Sequence, residues 1–183
     1  MNFRATNLSL CLVLFALCAA TSVSAQASDW KKFVSTADGF SVLFPGTPTR
    51  EDLGAPKGVD QTGSTYSSQS NGMTYLVIAA AVKGVDWKVT ANRDAFARGM
   101  TKGTCASSIS GGVRCEVKEA GETQYKGNVA REFTVVMEDL TVGRGRIVFT
   151  DSRVYTMMAT GLELSKNSEL VKKFSDSFEI SSK

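Results

Sequence analysis

The chain has 183 residues, 43% of them hydrophobic, with 21 basic and 18 acidic side chains and no histidine. So small and scattered a basic excess offers no surface to nucleic acid or to an anionic membrane. The missing histidine removes the usual general base, the Ser-His-Asp and Cys-His constellations and the commonest transition-metal ligand; what survives is carboxylate, serine-with-lysine or disulfide chemistry.

Residues 1–25 read as an export signal: Arg4 supplies the positive start, Leu8 to Ala20 a mostly apolar run and Val23-Ser24-Ala25 a small-residue cleavage site. The run is shorter than the roughly 20 apolar residues that a membrane span needs. The mature chain is expected to begin at Gln26, with cleavage after Ala27 as the alternative. Leu17 precedes Cys18 where a lipid-attachment motif carries a small residue, so no lipid anchor is expected. Residues 26–183 are then one domain of ordinary size, released to the periplasm or beyond the cell, with no transmembrane anchor once the signal is gone.

Trp30 to Val34 reads as a strand turned at Ala37-Asp38-Gly39 into Phe40, Val42 and Phe44, which alternate until Pro45-Gly46 stops them. Residues 46–63, polar and rich in glycine, read as a surface connection with little sheet of their own. Asn71-Gly72 is the strongest hairpin signal, joining a polar arm, Ser64 to Ser70, to Met73 to Lys83. That second arm carries Met73, Tyr75 and Val77 on one face and Leu76, Ile78 and Val82 on the other, the pattern of a central strand covered on both sides.

A helix is expected over residues 90–102, started by Thr90 or Asn92 and ended at Gly103. Cys105 and Cys115 are the two cysteines left after export, and their simplest reading is a disulfide closing the loop Ala106 to Arg114; a redox centre would lack any Cys-x-x-Cys motif. Glu116 to Gln124 and Val129 to Glu138 read as strands about Lys126-Gly127-Asn128. Arg146 to Thr150 and Val154 to Thr160 form a further hairpin. With a three-residue turn, Asp151-Ser152-Arg153, it would set Ile147, Phe149, Tyr155, Met157 and Ala159 on one face. A last helix over residues 166–177, capped by Ser165 or Asn167, carries Leu170, Val171, Phe174 and Phe178 as an apolar stripe. Phe178-Glu179-Ile180 ends that helix or adds a short edge strand.

Among candidate functional residues, Arg144 and Arg146 lie two apart on one strand and therefore on one face, with Arg131 on a neighbouring strand. Together they are a candidate site for a carboxylate or phosphate, against the plainer reading of an edge strand kept soluble by charge. Glu116, Glu119, Glu122, Glu138 and Asp139 can be drawn as acid and base pairs or calcium ligands, but solvated charge explains them with less. Trp30, Trp87 and Tyr66 are candidates to stack on a sugar or peptide, and Met157 and Met158 to line an adaptable groove; core packing is the competing account. Two cysteines without histidine do not make a zinc site, and no phosphate-binding, dinucleotide or calcium loop is present. Neither metal nor cofactor is expected.

Gly39-Phe40-Ser41-Val42-Leu43-Phe44-Pro45-Gly46-Thr47-Pro48, Gly127 to Phe133, Arg146 to Gly161 and Phe174-Ser175-Asp176-Ser177-Phe178 resemble a set of uncharacterised exported bacterial proteins and, more distantly, the PsbP/Mog1-like fold. The resemblance implies an α/β/α sandwich. Combined with the element pattern it gives an α+β domain with an antiparallel sheet of about six or seven strands flanked by helices. It carries no catalytic motif, and members of the wider fold are mostly accessory or binding proteins. Three functions follow as expectations: an exported, non-enzymatic binding or accessory domain for a protein or small-ligand partner; a hydrolase using carboxylates or a Ser/Lys pair; and a structural envelope-stress protein without ligand.

Overall fold

The computed structural model describes residues 29–54, 60–106, 115–138, 140–162 and 164–181. The expected export signal and expected start at Gln26, together with Asp139 and nearly all of the loop between the two cysteines, lie outside these residues.

Seven strands form one antiparallel sheet: β3 (Thr49–Asp52), β4 (Gln61–Ser70), β5 (Met73–Val82), β6 (Cys115–Tyr125), β7 (Asn128–Met137), β8 (Leu140–Phe149) and β9 (Val154–Thr160). Their order across the sheet is β3-β4-β5-β9-β8-β7-β6. Each hairpin keeps its strands adjacent, and β9 returns to pair with β5, so β5 and β9 lie inside the sheet. A second, three-stranded sheet orders β1 (Trp30–Ser35), β2 (Phe40–Pro45) and β10 (Glu179–Ile180) as β1-β2-β10. The helices are α1 (Thr90–Ala106) and α2 (Ser168–Asp176). The expected α+β architecture is present. It has one addition, since the first hairpin and the chain end leave the main sheet to build the smaller one.

Period-two alternation divides the core between the faces of the large sheet. On one face Tyr66, Met73, Tyr75, Val77, Tyr155, Met157 and Ala159 pack against Phe40, Val42 and Phe44 of β2 and against Val171, Phe174 and Phe178. On the other, Phe133, Val135, Ile147, Phe149, Val154 and Met158 meet Trp87, Phe96, Ala97 and Met100 in and before α1. The central strand β5 is covered on both sides as its sequence requires. Each fully buried aliphatic or aromatic side chain contributes about 1.5–3 kcal/mol of transfer free energy, so both layers hold the sheet.

Three local expectations are corrected. Thr49–Asp52, read as connection, pairs with β4 as an exposed edge strand. The first helix does not end at Gly103 but continues to Ala106, where Cys105 is joined to Cys115 of β6 with Cα atoms 5.6 Å apart. The last hairpin pairs Phe149, not Thr150, with Val154. Thr150 gives its N–H and hydroxyl to the carbonyl of Arg153 and so belongs to the turn. Ile147 and Phe149 therefore face α1, while Tyr155, Met157 and Ala159 face α2.

Candidate functional site

Strands β7, β8 and β9 and helix α2 enclose a cleft of about 550 Å³. Met157, Ala159, Val171 and Phe174 contribute to its apolar floor, and Glu132, Thr134, Arg144 and Arg146 rise from the sheet. Glu132, Arg146 and Met157 lie side by side on three neighbouring strands, as do Thr134, Arg144 and Ala159. From α2 come Ser168, Glu169, Lys172, Ser175 and Asp176.

Arg146 is largely committed. Its Nε and Nη2 donate to Glu132 Oε1 at 3.1 and 2.6 Å, and its guanidinium carbon lies 4.3 Å from the centre of the Tyr125 ring, a cation–π stack. Its Nη1 is buried and has no partner among the described residues. Tyr125 is itself anchored, its hydroxyl reaching the carbonyls of Ser175 and Phe178 at 2.9 and 3.0 Å; burial pushes that phenol up from its ordinary value. Lys172 pairs with Asp176 one helical turn on, which raises the ammonium above its usual range. Arg144 is exposed and, among the described residues, makes no ion pair or hydrogen bond.

The expected arginine trio is split. Arg144 and Arg146 share the cleft face, whereas Arg131, on β7 opposite Ile147, points to the α1 side. There it meets Asp94, Glu122 at 3.2 Å and Glu119 at 3.9 Å. Beside it Arg93, buried near the start of α1, is held by both Glu122 oxygens at 2.7 and 3.0 Å, by the carbonyls of Trp87 and Lys88, and by the Thr90 hydroxyl. The Arg93 hydrogen bonds first, and Arg131 after them, hold the Glu122 carboxyl below the usual range. Of the acidic candidates, Glu122 thus fastens α1 to the sheet edge, while Glu119 faces Arg131 within the β6–β7 pair. Glu116 is exposed on β6, and Glu138 stands in a turn with φ of 41°.

A second polar cluster, which the sequence did not signal, surrounds Asp38 in the β1–β2 turn. Its carboxylate accepts from Tyr66 at 2.6 Å and from Arg153 at 2.7 Å, and its carbonyl accepts from Tyr155 at 2.8 Å. Ser35 and Tyr66 bond through their hydroxyls at 2.8 Å. Buried and fully hydrogen-bonded, this cluster ties the smaller sheet to the β8–β9 turn. Outside it lies a shallower polar hollow lined by Arg50, Asp52, Ser64 and Arg153. Of the aromatic candidates, Tyr66 belongs to this network, Trp87 packs on Phe96 and Phe149, and Trp30 stands edge-on to Tyr75 with Lys173 over its ring. Met157 and Met158 are buried on opposite faces. Among the described residues no group of three cysteine or acidic side chains is placed to hold a metal ion, and no helix is long and apolar enough to cross a membrane.

A twisted antiparallel sheet with a helix on each side and a small sheet at one flank defines an α+β protein of PsbP-like fold. Among solved structures the chain is similar to cyanobacterial PsbP (CyanoP) from Synechocystis sp. PCC 6803, with a TM-score of 0.57 over 90% of this chain and 99% of that one, at 15% identity. Such identity speaks for the fold alone. No protein-family model and no curated protein matches the sequence.

Proposed function

We propose that the chain is exported and acts without catalysis, as a binding or accessory domain whose ligand surface is the cleft between α2 and strands β7 to β9. The observation that carries this reading is Arg144, a cation on the cleft wall with no partner among the described residues, above an apolar floor. Concave, apolar-floored sites with a few polar groups are where ligands are held. The competing hydrolase reading needs a carboxylate free to move a proton. Asp38 is occupied by Tyr66 and Arg153, and Glu122 by Arg93 and Arg131, so the best-placed acids serve as structural anchors. The PsbP-like fold supports an accessory role by analogy only.

The test takes the protein from a periplasmic extract. Intact mass should correspond to a chain beginning at Gln26. After incubation with small molecules extracted from the cell envelope, native mass spectrometry should show a retained adduct. The adduct should be absent from Thr134→Trp, which places a large ring in the cleft from a half-buried strand position. A mature chain that retains nothing and yields no reproducible crosslinked partner would overturn the proposal.

A further inference from the structure

The charges lining the cleft balance: Arg144, Arg146 and Lys172 against Glu132, Glu169 and Asp176. Two pairs are already made inside it, Arg146 with Glu132 and Lys172 with Asp176. That leaves Arg144 on β8 and Glu169 in the first turn of α2, one charge of each sign, both exposed, neither with a hydrogen bond or ion pair among the described residues. Between these two layers lies the apolar floor of Met157, Ala159, Val171 and Phe174.

This pattern discriminates among ligand classes. A phosphate dianion would enter a site whose lining sums to zero charge and includes three carboxylates. An aliphatic carboxylate would satisfy Arg144 but offer nothing to Glu169, which shares the field of Lys172 with Asp176. A zwitterion with an apolar body satisfies both groups. The two charges come from different elements, a strand and the helix laid over it, so a ligand that spans the cleft from one to the other carries its charges at its two ends. Extended peptide advances roughly 3.3–3.6 Å per residue, so two or three residues set an amine and a carboxylate well apart. The volume of about 550 Å³ lies within the range of small-ligand pockets.

We infer that the cleft takes a short peptide of two or three apolar residues, its free carboxylate on Arg144 and its free amine on Glu169. This inference rests on the binding role proposed above and names the ligand class. The experiment measures thermal shift and calorimetric affinity of the full mature chain with trileucine, N-acetyl-trileucine, trileucine amide, hexanoate and inorganic phosphate. Trileucine should raise the melting temperature, and each blocked form should bind roughly tenfold or more weakly, the loss expected for one charge-assisted hydrogen bond. Both residues are exposed, so Arg144→Gln and Glu169→Gln should fold normally. In Arg144→Gln the amide should bind as well as trileucine, and in Glu169→Gln the acetylated form should, a discrimination that a merely structural role would not move.

Equal binding of the blocked peptides, or of phosphate or hexanoate, overturns the inference. If trileucine has no effect while the envelope extract still leaves an adduct on the wild type and none on Thr134→Trp, the peptide inference falls and the binding role stands. If neither trileucine nor the extract is retained, the peptide inference falls, and the binding role falls with it when no reproducible crosslinked partner is found either.

Discussion

Arg93 is buried near the start of α1 with every arm of its guanidinium engaged, and Glu122 answers it from the edge strand β6. A charge taken out of water is stable only while its partner stays. Glu122→Gln should therefore cost about 1.5–3 kcal/mol at neutral pH, the range for hydrogen bonds to charged groups, measured by urea denaturation. The direction with pH follows from the depressed carboxyl. A group whose folded value lies below its unfolded one contributes stability fully present above the unfolded carboxylate pKa of about 4.3, and loses it as pH falls through the folded value. The gap between wild type and Glu122→Gln should accordingly narrow below pH of about 4, and a gap constant across the acid range would contradict the pairing. Gly145 makes a different residue-scale demand. A Cβ there would lie 2.1 Å from Phe133 Cζ, across the β7–β8 pair, and 2.8 Å from the Met157 carbonyl. Gly145→Ala must both swing that ring out of the α1 layer and shift the β8–β9 backbone pairing, at a cost of about 1–3 kcal/mol, read as a lowered denaturation midpoint.

Elements were legible where side-chain period alone decides them, and illegible where register does. Two-sided apolar alternation located β5 and its neighbours, and the spacing of Val171 and Phe174 located α2. In the last hairpin, however, a turn of Asp151 to Arg153 and a turn that also takes in Thr150 differ by one residue of pairing, and such a step moves a strand's whole apolar set to the opposite face. The hydrogen bonds of Thr150 to the Arg153 carbonyl decide it, and nothing in the composition of the turn announces them. The candidate site shows the same division. Arg144 and Arg146 are two apart on a strand and must share a face, whereas placing Arg131 requires the β7–β8 register. The contribution of Glu169 depends on how α2 lies across the sheet, which no local pattern encodes. The link between Cys105 and Cys115 joins the end of α1 to the start of β6 across a separation of 10 residues. In the loop-entropy account, so short a ring is worth about 3 kcal/mol. Replacing both cysteines by alanine should lower the melting temperature, and reductant should then lower the wild type alone toward the variant. A reductant effect on the variant as large as on the wild type would deny the link that role.

The molecule as a whole stands on two apolar layers that touch only through the large sheet, and one of those layers includes the smaller sheet. That arrangement raises the question of whether β1, β2 and β10 melt with the rest or ahead of it. Val42 on β2 is packed into the α2-side layer and Val135 on β7 into the α1-side layer, each with almost no exposure. Removing two methyl groups at either site should cost about 2 kcal/mol through lost transfer energy and the cavity left behind. The two valines belong to separate clusters with no shared member, so the double variant should lose the sum of the single losses to within about 0.5 kcal/mol. All three proteins should unfold in one transition with an unchanged denaturant slope, because the slope follows the surface exposed and the same domain is exposed each time. The alternative has a distinct signature. If the smaller sheet and α2 formed a unit that opens by itself, Val42→Ala would split the curve and shift its earlier step alone, while Val135→Ala would move only the later one. The buried anchors at Asp38, reaching from the β1–β2 turn to Arg153 and Tyr155 at the far hairpin, are the physical reason to expect a single step.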